Sequence, residues 1–139
     1  MLIKEIHSYS DELADLIGEL LNELGEDWNR EDLRISLVQS FKGEFFKVFG
    51  AWDDNQLVGT IGFFVTPELW NYQKFVAHEA FWYVKPRYRG MVGGKLLDYV
   101  ETNLECDNIT FGISDPRLLK LILRRGYKVE KTIVSKLLE

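Results

Sequence analysis

The run Phe81-Trp82-Tyr83-Val84-Lys85-Pro86-Arg87-Tyr88-Arg89-Gly90-Met91-Val92-Gly93-Gly94-Lys95-Leu96-Leu97 constrains this chain more than any other segment. It passes from an aromatic and β-branched strand to a proline that ends it, then through a basic loop with glycines into a helix. A loop that opens into a helix presents backbone N–H groups without intrahelical acceptors, at the positive end of the helix dipole. Glycines let a ligand come close to that main chain. Phosphate or pyrophosphate is the natural guest of such a cradle, and Arg87, Arg89 and Lys95 add cations around it. The same residues also suit a surface turn whose glycines only cap secondary structure.

A chain of 139 residues fits one domain, here 1–139, large enough to bury a core without disulfides or structural metal. A hydrophobic content of 46%, with 14% aromatic residues, argues for a filled interior rather than disorder. No apolar run approaches the roughly 20 residues that span a bilayer. Lys4, Glu5 and His7 near the start do not resemble a secretory leader, so a cytoplasmic protein with no membrane partner is expected. Cys106 is the one cysteine, which excludes an internal disulfide and a cysteine pair for zinc; no metal is expected. Its neighbours Glu105 and Asp107 make it a poor nucleophile, since carboxylates disfavour a thiolate. The net charge of −5 disfavours nucleic acid as a partner. Lys and Arg gather at 85–95 and 117–136 while Asp and Glu dominate 11–32, which leaves room for a local anion site in the second half.

Leu2 to Ile6 reads as a first strand. Leu13, Leu16, Ile17, Leu20, Leu21 and Leu24 recur at helical spacing until Gly25, and a second helix starts after the cap residue Asn29 and runs to Gly43. Phe45 to Trp52 and Leu57 to Val65 read as strands joined by the turn Asp53-Asp54-Asn55-Gln56. Residues 67–74 form a loop, in which Trp70 and Tyr72 either cover a ligand or anchor the loop; Phe75 to Val84 then completes an antiparallel meander. A helix over Gly93 to Leu104 followed by the apolar strand Ile109 to Ile113 makes a parallel crossover. That order places the anion loop at the carboxyl end of strand 75–84. Asp115 and Pro116 start a last helix, Leu118 to Arg125, closed by Gly126; Tyr127 to Glu130 and Thr132 to Leu137 are read as final strands. The fold class is α/β: a mixed central sheet with an N-terminal helix pair, an antiparallel meander and a parallel crossover around the loop helix.

This order and the loop together resemble the GNAT (general N-acetyltransferase) superfamily over essentially the whole chain. Its Arg/Gln-x-x-Gly-x-Gly/Ala motif falls on Arg89-Gly90-Met91-Val92-Gly93-Gly94, with Val92 in place of the first glycine. The β-branched Val92 restricts the loop and narrows the approach to it. Leu121-Ile122-Leu123-Arg124-Arg125-Gly126-Tyr127 is similar to the family's closing helix and turn, and the whole looks like its small phage and bacterial members. The resemblance implies acetyl-coenzyme A as cosubstrate and a primary amine, on a small molecule or a protein, as acceptor. Arg89, Gly90, Met91, Val92, Gly93, Gly94 and Lys95 would hold the pyrophosphate, and main-chain groups at Tyr83 and Val84 the pantetheine arm. It also allows a homodimer through sheet edges or closing strands.

Two residues are candidates for the general base of acetyl transfer. His78 has a suitable intrinsic pKa, shares a face with Ala80 and Val84 by the two-residue strand period, and occupies a position where the resembled family often has Glu or His. It is also readable as a core-edge histidine. Glu79 points to the other face unless a bulge changes the phase, and reads rather as a structural or substrate-contacting carboxylate. Glu26, Asp27, Trp28, Glu31 and Asp32 either attract a cationic acceptor or form a solvated loop with N-terminal helix charges. Ile122 stands where many members have a tyrosine acid; Tyr127 and Tyr83 are substitutes or plain packing aromatics. The alternative function is a GNAT-fold module that binds coenzyme A or a protein without transferring acetyl.

Overall fold

The structure, a computed structural model, describes residues 1–138. Its elements in order are β1 (Leu2–Ile6), α1 (Asp11–Leu24), α2 (Arg30–Lys42), β2 (Phe46–Asp53), β3 (Gln56–Pro67), β4 (Phe75–Val84), a short 3₁₀ turn (Pro86–Tyr88), α3 (Val92–Asn103), β5 (Asn108–Thr110) and α4 (Pro116–Arg124). A side-chain cap opens α1, α2 and α4. Ser10 accepts from the Leu13 N–H at 3.1 Å to start α1, Asn29 accepts from Asp32 N–H at 2.9 Å to start α2, and Asp115 accepts from Arg117 N–H at 2.9 Å ahead of Pro116. Each satisfies an amide that the first helical turn leaves without a partner. Gly25, at φ 69°, ends α1 in the left-handed conformation that glycine adopts without strain.

The sheet runs in the order β1-β2-β3-β4-β5, antiparallel except for the parallel pair β4 and β5. It separates two cores. On one face Leu13, Leu16 and Ile17 of α1 and Leu37 of α2 bury Val48, Leu57, Phe81 and Tyr83. On the other, Val92, Leu96, Leu97 and Val100 of α3 and Ile122 of α4 bury Phe49, Ile61, Phe63, Ala77, Trp82 and Val84. Burying side chains of this size stabilises by about 1.5–3 kcal/mol each before the entropic cost of ordering them. The mixed α/β architecture matches the sequence reading.

The carboxyl-terminal third differs from it. β5 pairs with β4 only from Asn108 to Thr110, against Val76 to His78, so the strand expected over Ile109 to Ile113 leaves the sheet partway. Residues 127–138 form no strand, and Val129, Ile133, Val134, Leu137 and Leu138 are 72–87% exposed. A three-residue ladder offers too short an edge to template closing strands at Tyr127 to Glu130 and Thr132 to Leu137.

Candidate active site

The first half of the loop between β4 and α3 is held by main-chain bonds from Tyr88 to Lys85 and Arg89 to Pro86 and by its side chains, and the amides of 90–94 have no carbonyl partner among the described residues. Arg89 turns back into the protein: Nε donates to the Val84 carbonyl at 2.9 Å, one terminal nitrogen donates to both Glu23 carboxylate oxygens at 2.8 Å, and the guanidinium lies 5.3 Å from the Tyr83 ring centroid. The expected phosphate-facing cation is therefore a strut between the loop and the end of α1. Arg87 lies over Tyr88, whose hydroxyl donates to Asp53 Oδ2 at 2.7 Å. Lys95 is exposed and Met91 is half in solvent. Gly90 has φ 96°, which only glycine takes without strain, and the chain then turns directly into α3.

Val92 is fully buried, so the narrowing of the loop expected from a β-branched residue does not occur. Its Cγ1 would lie 3.0 Å from a Cβ built on Gly59, so the side chain fills a dimple in β3 and points away from the loop's outer surface. Among the described residues, the first α3 amide with a carbonyl partner is that of Lys95, which donates to Met91 at 3.2 Å. The amides of Val92, Gly93 and Gly94 precede the helical ladder and sit at the positive end of the α3 dipole. A Cβ on Gly94 would meet the Arg125 guanidinium at 2.9 Å, which brings a further cation to this turn. Arg125 is anchored there by Asp98, with Glu101 at 4.0 Å.

In β4 the register against β3 slips by one residue: Phe81 opposes Gly62 but Glu79 opposes Phe63, so Ala80 is a bulge. A Cβ on Gly62 would lie 2.4–2.8 Å from three Phe81 ring atoms, so the glycine makes room for that ring beside the bulge. The phase change exchanges the two base candidates. Glu79 now shares the α3 face with Ala77, Trp82 and Val84, and His78, paired opposite Phe64, takes the other face. The expectation that His78 shares the Val84 face is thus corrected. Exposed His78 Nδ1 shares a 3.1 Å hydrogen bond with Thr110 Oγ1, at the last rung of the β4–β5 pair.

Beyond that rung the strands part. Half-buried Glu79 stands at the parting, where Gly112 N–H donates to its Oε1 at 3.4 Å. Burial pushes its carboxyl pKa up, only partly offset by this amide. Phe111 leans on Trp82 with ring centroids 5.3 Å apart. Trp82 is 5% exposed, and its Nε1–H has no hydrogen-bond partner among the described residues. Its Cζ2, two bonds from Nε1, would lie 3.7 Å from a Cβ on Gly93, so this edge of the indole faces the first turn of α3.

The other candidates are held in packing. Tyr83 is buried in the α1 core, and the Val84 carbonyl, expected to face the pantetheine arm, is shared with Arg89. Tyr127 packs on Phe111 and donates to Glu101 Oε2 at 3.0 Å; burial and that carboxylate push its pKa well up. Ile122 is buried in the α3 core. Of the acidic stretch, Glu31 pairs with Arg34, Asp32 donates its N–H to the cap residue Asn29, and Trp28 donates to Asn22 while its ring covers Gly18. Leu69, Trp70 and Tyr72 are exposed at the amino end of β4, opposite the end that carries the anion loop. Among the described residues no group of three His, Cys, Asp or Glu is disposed to hold a metal, and no helix is long and apolar enough to cross a membrane.

Sequence reasoning missed Trp82, Arg125 and Glu23. Trp82 lay in plain sight as an indole in the motif strand, but nothing local shows that its N–H lacks an acceptor. Glu23 and Arg125 reach the loop from 66 residues before Arg89 and from the end of α4, distances over which no spacing rule operates.

These residues fit acetyl-coenzyme A: unpaired helix-opening amides for a pyrophosphate, a parting between strands for an extended arm, and a buried donor without an acceptor beside it. Solved structures similar to the chain include a transcriptional regulator from Bacillus halodurans C-125, at 18% identity and TM-score 0.76, over 99% of this chain and 100% of that one. An aminoglycoside acetyltransferase from an uncultured soil metagenomic sample, in complex with sisomicin, is similar at 17% identity and TM-score 0.76, over 99% and 95%. A GNAT family acetyltransferase from Staphylococcus aureus is similar at 18% identity and TM-score 0.72, over 99% and 100%. These likenesses concern the fold, which by itself does not fix an activity. The sequence has no match among curated proteins. The model of the acetyltransferase (GNAT) family matches residues 13–127, from the first buried leucine of α1 through the anion loop to Tyr127, and the chain belongs to that family.

Proposed function

We propose that this protein transfers an acetyl group from acetyl-coenzyme A to a primary amine by direct attack in a ternary complex. The observation that carries the reading is the start of α3, where the amides of Val92, Gly93 and Gly94 are free while Val92 and Arg89 direct their side chains inward. That arrangement suits a pyrophosphate held by main chain and helix dipole, with Lys95 and Arg125 as the nearby cations. The cosubstrate supplies an activated acyl group. The chain must supply position, a proton acceptor and a donor for the developing oxyanion.

Glu79 is the proton acceptor in this proposal. Its raised pKa brings it towards the range in which a carboxylate removes a proton from an amine most effectively, and it stands where the strands part. Ala80, the bulged residue that opposes no residue of β3, is assigned the oxyanion donor through its amide. His78 is assigned a positioning role, tying Thr110 to the rung from which the parting starts. Acceptors of both kinds, small molecules and protein amines, suit an open site; the aminoglycoside acetyltransferase neighbour makes aminoglycosides a sensible first class.

One observation favours a second reading, a module that binds without transfer. Ile122 is packed in the core and the Tyr127 hydroxyl is committed to Glu101, so neither position offers a free phenol to the departing thiolate. Calorimetric titration with acetyl-coenzyme A and coenzyme A, on the protein and its Gly94→Trp variant, followed by thiol release in an amine panel, separates the readings. Binding that the variant abolishes, with thiol release, is the expected result. Binding without release for any amine favours a coenzyme A-binding module, and no binding by folded protein overturns the acetyltransferase reading in favour of a protein-interaction module.

A further inference from the structure

We infer that the Trp82 indole N–H is a ligand-binding donor that takes a carbonyl oxygen of the acyl-pantetheine arm, an assignment that rests on the acetyl-coenzyme A reading above. A buried donor without an acceptor is rare in folded proteins because it loses its water without replacement. Trp82 is such a case: Nε1 is closed off from solvent, and no described residue accepts from it. Its place in the fold indicates the missing partner. Trp82 lies on the α3 face of β4, beyond the last β4–β5 rung, with its N–H edge towards Gly93 in the amide-bearing turn. An arm that runs from that turn into the strand parting passes this edge.

The surroundings select the chemistry of the acceptor. Phe111 packs on the indole and Gly93 faces its edge, neither of them charged, whereas the Arg125 guanidinium and the free amides lie one residue on, at Gly94 and the turn, where the phosphates belong. An amide or thioester carbonyl is neutral and needs one donor. Gly93 has no left-handed backbone, and a Cβ there would make only ordinary contacts, 3.7 Å to Trp82 and 3.9 Å to Val84. The turn and the indole are therefore in near contact, and the arm meets the indole's N–H edge from the side of the strand parting. Phe111 covers the indole from a segment that has already left the ladder, and the nearby cross-strand bond, Gly112 to Glu79, is 3.4 Å long. Entry of the arm therefore displaces Phe111 from Trp82, at the expense of its edge contacts with Phe63 and Tyr127, without breaking the ladder.

The test follows the indole N–H resonances of the four tryptophans in isotope-labelled protein, with Trp82 assigned by Trp82→Phe, or by Phe variants at Trp28, Trp52 and Trp70 if that protein does not fold. Acetyl-coenzyme A should move the Trp82 indole proton downfield, whereas adenosine 3′,5′-bisphosphate, which lacks the arm, should leave it in place. Trp82→Phe should weaken acetyl-coenzyme A roughly tenfold, the factor of one net hydrogen bond, and leave the bisphosphate unaffected. An unmoved Trp82 resonance with acetyl-coenzyme A bound, or equal weakening of both ligands, overturns the inference and leaves the acetyltransferase reading standing. If no resonance of the protein responds to acetyl-coenzyme A, both fall.

Discussion

The anion loop and the β4–β5 parting are neighbours built on opposite plans. In the loop the side chains are spent on the protein, Arg89 on Glu23, Val84 and Tyr83, Tyr88 on Asp53, Val92 on the core, and the main-chain amides are left over. In the parting it is the side chains that are left over: among the described residues Glu79 is half-buried with one long side-chain hydrogen bond, and buried Trp82 Nε1 has none. On the proposed reading, the difference separates a cosubstrate site built from main chain from chemistry built from side chains. A site written in main-chain amides survives substitution as long as the backbone is braced, whereas a site written in two unsatisfied side chains changes with either of them.

The sharpest way to break the comparison is Glu79→Gln. If the parting carries the chemistry through this side chain, kcat should fall by about 10²–10⁴-fold, the usual contribution of a positioned base, with little change in acetyl-coenzyme A affinity. The limb of the pH profile that rises as Glu79 loses its proton should disappear. Stability should respond in the opposite sense. Because burial raises the Glu79 pKa in the folded state, the protein binds more protons folded than unfolded between the two values, so stability falls as pH rises through that window. The glutamine variant should therefore melt higher than the parent at neutral pH and show no such advantage below the ordinary carboxylate range. Equal melting temperatures at both pH values would mean that the carboxylate is not held in the half-buried place described.

Gly94→Trp probes the loop by the same logic. Its side chain would fill the space over the first turn of α3 and push aside Arg125, whose guanidinium already lies 2.9 Å from where a Cβ would be. Acetyl-coenzyme A binding should weaken at least about a hundredfold, since both the amide cradle and a charge-assisted contact are lost. Retention of binding would show that the cosubstrate does not use this turn.

How far each region was legible follows from the same contrast. The loop is local: proline, glycines and a helix start lie within one run of sequence, and the capped helices α1, α2 and α4 are equally short-range. The parting is not. Whether His78 or Glu79 faces α3 depends on a bulge at Ala80, and that bulge is matched by Gly62 on another strand, whose missing Cβ admits the Phe81 ring. The two-residue strand period therefore gave His78 the wrong face. Trp82's orphan N–H is likewise invisible without knowing what packs around it. The closing strands failed for a related reason, since strand propensity at Thr132 to Leu137 needs an edge and β5 supplies only three residues of ladder.

Val92→Gly offers a milder and more discriminating prediction. By motif alone it restores the glycine of the resembled loop and ought to improve the cosubstrate site. In the structure it deletes a fully buried side chain that fills the dimple at Gly59, at the first position of α3. Stability should drop by about 2–3 kcal/mol, most of it lost burial, read as a lower denaturation midpoint. Affinity for acetyl-coenzyme A, measured where the variant is fully folded, should stay within about twofold, because no donor is added or removed. Tighter binding would mean that Val92 obstructs the loop after all.

The smallest effect is expected at His78, and it tests the phase of β4 directly. With the bulge at Ala80, the imidazole lies on the face away from α3, and its one side-chain hydrogen bond among the described residues is to the Thr110 hydroxyl. His78→Ala removes one exposed hydrogen bond at the last β4–β5 rung, so kcat should change by less than about threefold, through a slight loosening of that rung rather than through proton transfer. Thr110→Val removes the same bond from the other side and should reproduce that loosening with the imidazole intact. Matching small losses in the two variants, with the pH profile unmoved in both, place His78 outside the chemistry. A large loss at His78 alone, with the profile shifted, would return the base to His78, and the division of labour drawn here between Glu79 and the loop would have to be redrawn around the opposite face of the strand.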